Sequence, residues 1–491
     1  MQQLNGDSAY PHVVTNAIDL GGNQKVPSDV TAYKNALNSL VQNSVQVNNN
    51  NQLFDEGTNS RTVSFQPVRN GTNEERLRCV EGVAYFRVLV RTEITGEGGK
   101  SYDSDPKVVK VILKNNCWAD SRLIPTGMVL PRLVQYGSQG AMAGNMAVVL
   151  APKEASASEL AEVGAVYVFE KSNGQWQYSS RFQVSDAQAR DTLNSVTLAN
   201  GRIIVASKYR DGRGTVFVFA KSGGAWSLYQ RLTPPSSQAN QEFGQALAAE
   251  GNTLLVGAPN LNNSGAVYVY EFSQGNYVLK QTLQDAAAAE NKGFGMALSV
   301  NNGTLLVGAP QALLRESDRA GEVHVFSLSG ASWSLARTLQ APTNDRKLGM
   351  KFGAAVVVRD GKILIGAPSY ATDEKDINKG AAFYYSTANA NPVTLKGEAG
   401  DQLFGQAVAI ANTGLLIGAP YAEARRGQVY YYANEVLSSP KVTRRHYATV
   451  SAEQDNFGSF IEVVGSEVLI GARAKSSPNI GGGAAYIHVI K

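Results

Sequence analysis

Catalysis needs titratable groups that converge, and this chain of 491 residues offers few of them. Its histidines are His12, His324, His446 and His488. His324 and His488 alternate within the strand-like runs "EVHVFS" and "YIHVI", where a half-buried structural imidazole outweighs a catalytic one. His446, in "TRRHY", stands beside Arg444 and Arg445 in what reads as an outer strand. The chain has no Gly-x-Ser-x-Gly elbow, His-Glu-x-x-His pair, P-loop or paired-cysteine motif, and it lacks the Ser-x-Asp-x-Gly-x-x-Trp turn of sialidases. No catalytic residue and no cofactor is assigned. Asp103 and Asp105 in "YDSDP", and Asp373, Glu374 and Asp376 in "TDEKD", lack the glycine and distal carboxylate of a calcium loop, so solvated loops are expected and no metal. Residues 209–212 read Arg-Asp-Gly after Tyr209, not Arg-Gly-Asp, and carry no recognition role by motif.

Recognition chemistry is better represented. Tyr209, Arg210, Arg213, Tyr370, Tyr421, Arg425, Arg426, Arg473 and Lys475 fall in short segments that differ from one another while the sequence around them repeats. Tyr209 and Tyr421 hold equivalent positions, and Tyr370 lies one place later in its segment. Tyrosine and arginine are the usual anchors of protein and glycan contacts, and variable loops on a constant scaffold are how binding surfaces are built. These nine residues are therefore the candidate ligand-binding set.

The scaffold that must position them is legible as a repeat. Phe-Gly occurs at Phe243, Phe294, Phe352, Phe404 and Phe457, at intervals of 51, 58, 52 and 53 residues. Each is followed by an alternating strand, a two-residue turn, and "LLVGAP", "LLVGAP", "ILIGAP", "LLIGAP" or "VLIGAR". Weaker copies, "AVVLAP" and "IIVASK", lie upstream, and third strands such as "GAVYVFE" and "GQVYYYA" complete seven units. In four units a Trp- or Tyr-bearing strand ending in Leu or Phe follows. Four strands per unit of about 50 residues is the blade of a β-propeller, with alternate residues buried against the neighbouring blades. The seventh unit stops after its third strand, and "GMVLPRLVQ", residues 127–135, is a strand without a blade; it is expected to supply the missing outer strand and close the ring.

Phe-Gly followed by Gly-Ala-Pro and Gly-x-Val-Tyr-Val-Tyr resembles the FG-GAP repeats of the integrin α-subunit propeller, and more closely bacterial proteins built from short repeats of that kind. The resemblance covers about residues 137–491 and implies a seven-bladed propeller that recognises partners outside the cell. It supplies no functional residues, because the matching positions are structural in that family. Several integrin blades carry an Asp-rich calcium loop between strands one and two. The corresponding turns here, "EGNT", "NNGT", "RDGK", "ANTG" and "VGSE", are too short to give a calcium ion its six to eight oxygens, and blade calcium is not expected.

Residues 1–126 are expected to form a separate adaptor domain, small α+β or sandwich-like, before a propeller over 127–491. "PSDVTAYKNALNSLVQNSV" has Ser28 as an N-cap candidate and apolar residues at Val30, Tyr33, Leu37, Leu40 and Val41, an amphipathic helix over about 28–45. "QVNNNNQ" reads as a loop; "RTVSFQPVR", "GVAYFRVLVRTE" and "KVVKVILKN" read as strands, the last two similar to the final hairpin of fibronectin type III domains. Cys79 and Cys117 are the only cysteines, either one structural disulfide of an exported protein or two unrelated buried thiols. The net charge is +4, with 13 basic and 13 acidic residues before residue 127 and 32 and 28 after it, so no concentrated basic stripe suggests nucleic acid. No apolar run approaches the ~20 residues of a membrane span, and the polar "MQQLNGDSAY" is not a signal sequence, as expected of a mature exported chain or a cytosolic one. The reading the sequence favours is an extracellular, cell-surface or periplasmic adhesion module for a protein or glycan. Its alternatives are a propeller enzyme acting on glycans, lyase or hydrolase, and a purely architectural part of a surface assembly.

Overall fold

A computed structural model describes residues 120–123 and 134–490 except 157, 159, 286–291, 313–319, 372–377, 388, 398–402, 435–439, 441, 448–454 and 474–481, together with the backbone of seven short strands before residue 114. The chain divides into two units, Met1–Cys117 and Trp118–Lys491. The boundary therefore falls nine residues before the one expected at 126, because the strand starting at Asp120 already belongs to the second unit.

The second unit is a seven-bladed β-propeller, each blade a four-stranded antiparallel sheet. Blade 3 is representative: Leu247–Glu250, Thr253–Ala258, Ala266–Ser273 and Asn276–Leu283, paired in that order. The expected second and third strands are the buried centre of every blade, with Leu254, Leu255, Val256, Ala266 and Val267 all fully buried in blade 3. The outer strands of blades 5 and 6, Val393–Lys396 and Arg444–His446, are short.

In blades 3 to 7 three glycines per repeat have a steric explanation. The Phe-Gly glycines, with Gly137 in blade 1, adopt φ of +81 to +94°, a region that side chains avoid. A Cβ on the Gly-Ala-Pro glycine of one blade, such as Gly257, Gly308, Gly366 or Gly418, would run into the carbonyl oxygen of the next blade's Phe-Gly glycine. A Cβ on the glycine that opens the third strand, such as Gly265, Gly380 or Gly427, would meet the carbonyl of the next blade's Phe. Parallel bridges Gly265 to Phe294, Gly380 to Phe404 and Gly427 to Phe457 mark the same approach. The Phe ring turns back into its own blade, edge-on to an aromatic of the third strand: Phe243 to Tyr268 at 5.4 Å, Phe352 to Phe383 at 5.2 Å, Phe404 to Tyr430 at 5.2 Å and Phe457 to Tyr486 at 5.6 Å.

Ring closure follows the expected logic with a different strand. The fourth strand of blade 7 is Asp120–Arg122, antiparallel to Ala484–Val489 with Tyr486 opposite Arg122 and His488 opposite Asp120. It is not 127–135. Tyr136-Gly137 is the unrecognised Phe-Gly of blade 1: Tyr136 bridges Gly483, and its ring stands edge-on to Tyr167 at 5.1 Å. Of 127–135, residues 127–133 lie outside the described residues. In blades 1, 2 and 3 the outer strand ends eleven residues before Leu193, Phe243 and Phe294, at Phe182, Leu232 and Leu283. The same spacing counted back from Tyr136 arrives near Arg122. Buried Leu123 continues the pairing through its N–H to the Ala485 carbonyl at 2.9 Å, and its own carbonyl accepts the Tyr136 hydroxyl at 3.0 Å. On the opposite face the same seam carries the Lys171–Glu467 ion pair at 2.8 Å and the Trp176 indole donating to Glu467 at 3.1 Å.

In the first unit, Val45–Val47, Gln52–Asp55 and Val63–Ser64 form a three-stranded sheet. Gly82–Val88 pairs with Lys107–Leu113 and Arg91–Glu93 with Ser101–Asp103, the hairpin expected there. The helix expected over 28–45 lies outside the described residues apart from Val45, which opens a strand. Gln46, Val47 and Gln52 are also strand residues rather than loop. Cys79 and Cys117 are outside the described residues.

A chain beginning at residue 118 keeps all four strands of blade 7, whereas one beginning at 124 loses its outer strand. Scanning calorimetry should show the second melting at least ~5 °C below the first, a change on the order of 4 kcal/mol for a domain of this size; equal melting temperatures would remove Asp120–Arg122 as the closing strand.

Candidate functional site

Because the strands of each blade alternate in direction, the connections from strand two to three and from strand four to the next strand one open on the same face. That face is the candidate site. After the second strand the chain passes a residue at the rim and then one turned inward. The rim residue is Lys153, Tyr209, Asn260, Gln311, Ser369 and Tyr421 in blades 1 to 6, and the inward one is Glu154, Arg210, Leu261, Ala312, Tyr370 and Ala422, all buried. In blades 1, 3, 4 and 5 the rim residue's N–H donates to the carbonyl of the residue two before the Phe position, Val134, Gln241, Lys292 or Met350. This bond fixes the loop's entry, so side-chain fate depends on position rather than residue type.

Tyr209 is 54% exposed, with the Lys208 ammonium 4.8 Å from its ring centre. Lys208 also pairs with Glu242 at 3.2 Å. Tyr421 is half-buried and carries the Arg425 guanidinium 4.6 Å above its ring. Arg213 and Arg426 are half-buried, and Arg425 and Arg473 exposed; Lys475 is outside the described residues. Tyr421, Arg425 and Arg426 lie in blade 6 and Arg473 in the neighbouring blade 7, while Tyr209 and Arg213 lie in blade 2, with blade 1 intervening. In blades 2, 3 and 6 the loop makes the same tight turn with a non-glycine residue at positive φ: Asp211, Asn262 and Glu423.

Two members of the candidate set are not on the surface. Arg210 is buried: its Nη1 bonds Asp191, and its Nη2 lies 3.2 Å from Asp186, which also holds Arg231 at 2.7 Å. Tyr370 is 2% exposed and donates to Asp345 at 3.2 Å. Asp345 also takes Thr394 at 2.9 Å and Lys396 at 2.8 Å. Both occupy the inward position, where a ligand cannot reach them without opening the loop. Tyr370's one-residue offset from Tyr209 and Tyr421 is the signal that separates it from them.

Charge networks beneath the loops were not anticipated. Glu154 accepts the Tyr167 hydroxyl at 2.7 Å and Arg181 Nε at 2.7 Å, and burial followed by that carboxylate drives the Tyr167 pKa up. In blade 4, Lys292 bonds Asp285 and lies 3.5 Å from Glu322, while His324 Nε2 is 3.2 Å from Glu322 and 3.7 Å from Asp285. The ligand atoms of Asp285, Glu322 and His324 lie within 4.8 Å of one another, close enough to hold a metal ion, but the Lys292 ammonium supplies the positive charge there. Burial works to raise the Glu322 pKa, and the bond and charge of His324 with the charge of Lys292 outweigh it and hold it low. His324 itself fills the aromatic position, 5.1 Å from Phe294, and is fully rather than half buried. His446 does lie on the outer strand of blade 6, and burial, with His488 and Arg444 nearby, depresses its pKa well below the usual histidine range. His488 is buried as well. Asp103 closes a strand of the first unit; His12, Asp105, Asp373, Glu374 and Asp376 are outside the described residues.

Glu462, in the inner strand Phe457–Val464 of blade 7, has its pKa pushed up to about 7 by burial, with Arg359 of blade 5 pulling the other way. An unfolded glutamate releases its proton near pH ~4.3, so between there and about 7 the folded state holds a proton that the unfolded state has lost. Stability must fall as pH rises through that window. Glu462→Gln should flatten this dependence and be the more stable by on the order of 3 kcal/mol at pH 8; parallel melting-temperature profiles from pH 4 to 8 would contradict it. Tyr370→Ala should cost about 3–5 kcal/mol, and Tyr209→Ala less than about 0.5, in urea unfolding.

Residues 226–270 match the family model described as FG-GAP repeat. The match runs from the outer strand of blade 2 through the third strand of blade 3 and includes Phe243-Gly244 and Gly257-Ala258-Pro259.

Proposed function

We propose that this FG-GAP-repeat, seven-bladed β-propeller is an extracellular or cell-surface binding module that engages a protein or glycan through the face bearing its strand two-to-three loops, with residues 1–117 as adaptor. The observation that carries the proposal is the treatment of the rim position. The inward neighbour is buried in all six described loops, while the rim residue varies from blade to blade and is tyrosine in blades 2 and 6. A cation lies against each of those rings, which reduces the ordering cost of contact. Arg213, Arg425, Arg426 and Arg473 add hydrogen-bond forks suited to carboxylates, sulfates or hydroxyl-rich surfaces. Among the described residues no helix is long and apolar enough to cross a membrane.

An enzyme acting on glycans is the weaker alternative. The one His-carboxylate cluster among the described residues that could hold a metal ion, in blade 4, has Glu322 and His324 buried and is balanced by Lys292.

Glycan-array and cell-surface binding measurements on the wild type and a Tyr209→Ala, Tyr421→Ala, Arg425→Ala variant test the reading. Loss of at least about tenfold in affinity, with an unchanged melting temperature, is expected, since interface tyrosine and arginine truncations often cost 2 kcal/mol or more. Undiminished binding would sink the loop-face assignment.

A further inference from the structure

On the opposite face, an open cavity of about 350 Å³ lies where the turns between strands one and two of blades 1, 2 and 3 come together. Ala143, Met146, Leu198 and Ala249 give it apolar walls, and Asn200 and Arg202 are its polar residues. The volume is at the lower end of small-molecule sites, and apolar walls with a few fixed polar groups are their usual composition.

Arg202 makes this more than a dent between turns. Its guanidinium carbon lies 4.7 Å from the ring centre of Tyr229 and 4.1 Å from that of Phe272, and its Nη1 donates to the Asn200 carbonyl at 2.9 Å. A guanidinium has five N–H donors. Among the described residues no carboxylate lies within ion-pair reach of Arg202, and its buried Nε has no acceptor. Arg181, Arg210 and Arg231 in the same blades each have a carboxylate. A guanidinium held against two rings beside an open cavity, with no carboxylate of its own, is free to pair with an anion that enters there.

We propose that this cavity is a binding site for a small monocarboxylate with a short apolar body, its carboxylate recognised by Arg202 and its body by the Met146, Leu198 and Ala249 walls. The planar fork of arginine matches a carboxylate, and the stack holds it in place before the ligand arrives. A dianion would find only one cation. The site is separate from the loop face and does not depend on the function proposed there.

The test uses the full chain with benzoate, benzamide and inorganic phosphate as probes, read by saturation-transfer-difference NMR and by thermal shift. Benzoate should bind saturably, benzamide at least tenfold more weakly, and phosphate more weakly still. Arg202→Gln should lower benzoate affinity at least tenfold. Ala249→Phe, which fills the cavity from its blade 3 wall and leaves Arg202 in the chain, should abolish binding and keeps the test valid if the Arg202 variant misfolds. Absence of benzoate binding, equal affinity for benzoate and benzamide, tighter binding of phosphate, or undiminished binding by Ala249→Phe would each overturn the proposal.

Discussion

The architecture depends on the backbone-to-backbone approach of neighbouring blades at their glycines. Carbonyl groups of one blade's Phe-Gly occupy the space where Cβ atoms of the preceding blade's Gly-Ala-Pro and third-strand glycines would stand. The Phe ring then locks edge-on against a third-strand aromatic of its own blade. The two contacts work together: the first sets the distance between blades, and the second fixes the turn that delivers the carbonyl. A side chain at any of these glycines would have to displace backbone, not a flexible neighbour, which is why the motif recurs where the rest of each repeat drifts. Leu193 in blade 2 and His324 in blade 4 show that the hydrophobic partner tolerates change, provided the pocket stays filled.

With the seam fixed, the buried space beneath each loop is where blades can differ without disturbing one another. Blade 3 fills it with Leu261, Gln241 and Tyr268; blade 2 with Arg210 and Asp191; blade 5 with Tyr370, Met350 and Asp345. Apolar filling and paired charge both satisfy the constraint, because a buried charge is tolerable only with its partner and hydrogen bonds in place. Asp191 illustrates the cost: burial raises its pKa despite the bonds from Gln188 and Arg210. Such networks tie each loop to the connection entering its blade, leaving the rim residue as the outward-facing member of a rigid frame.

This explains what could be read from the residues and what could not. The blades were legible because the glycine and Phe positions are dictated by backbone sterics and recur at fixed spacing. Ring closure was legible as a need, but its strand was misplaced by a few residues because Tyr136-Gly137 hid the first Phe-Gly. Arg210 and Tyr370 were read as surface anchors from residue type, and their register, one place beyond Tyr209 and Tyr421, would have sent them inward. The charged partners were harder, since Asp191, Asp285 and Asp345 stand two, nine and seven residues before Leu193, Phe294 and Phe352 and so share no repeat position. Arg202 was invisible for another reason: its aromatic neighbours Tyr229 and Phe272 belong to different blades, and only the ring brings them to one side chain.

The outer rim shows how the ring keeps its exposed edges unreactive. Blades 1 to 4 have outer strands of eight or nine residues, and each carries a bulge at the same place, opposite Val168, Val218, Val269 and Val325. A bulge interrupts the row of free backbone groups that would otherwise template pairing with another chain. Gln230 and Gln281 reach across to the backbone of Tyr277 and Trp333 in the next blade, joining the outer strands by side chain where no backbone ladder can run. Blades 5, 6 and 7 have outer strands of only four, three and three residues. Blade 7 takes its outer strand from the start of the second unit, Asp120–Arg122, and buried Leu123 continues the pairing.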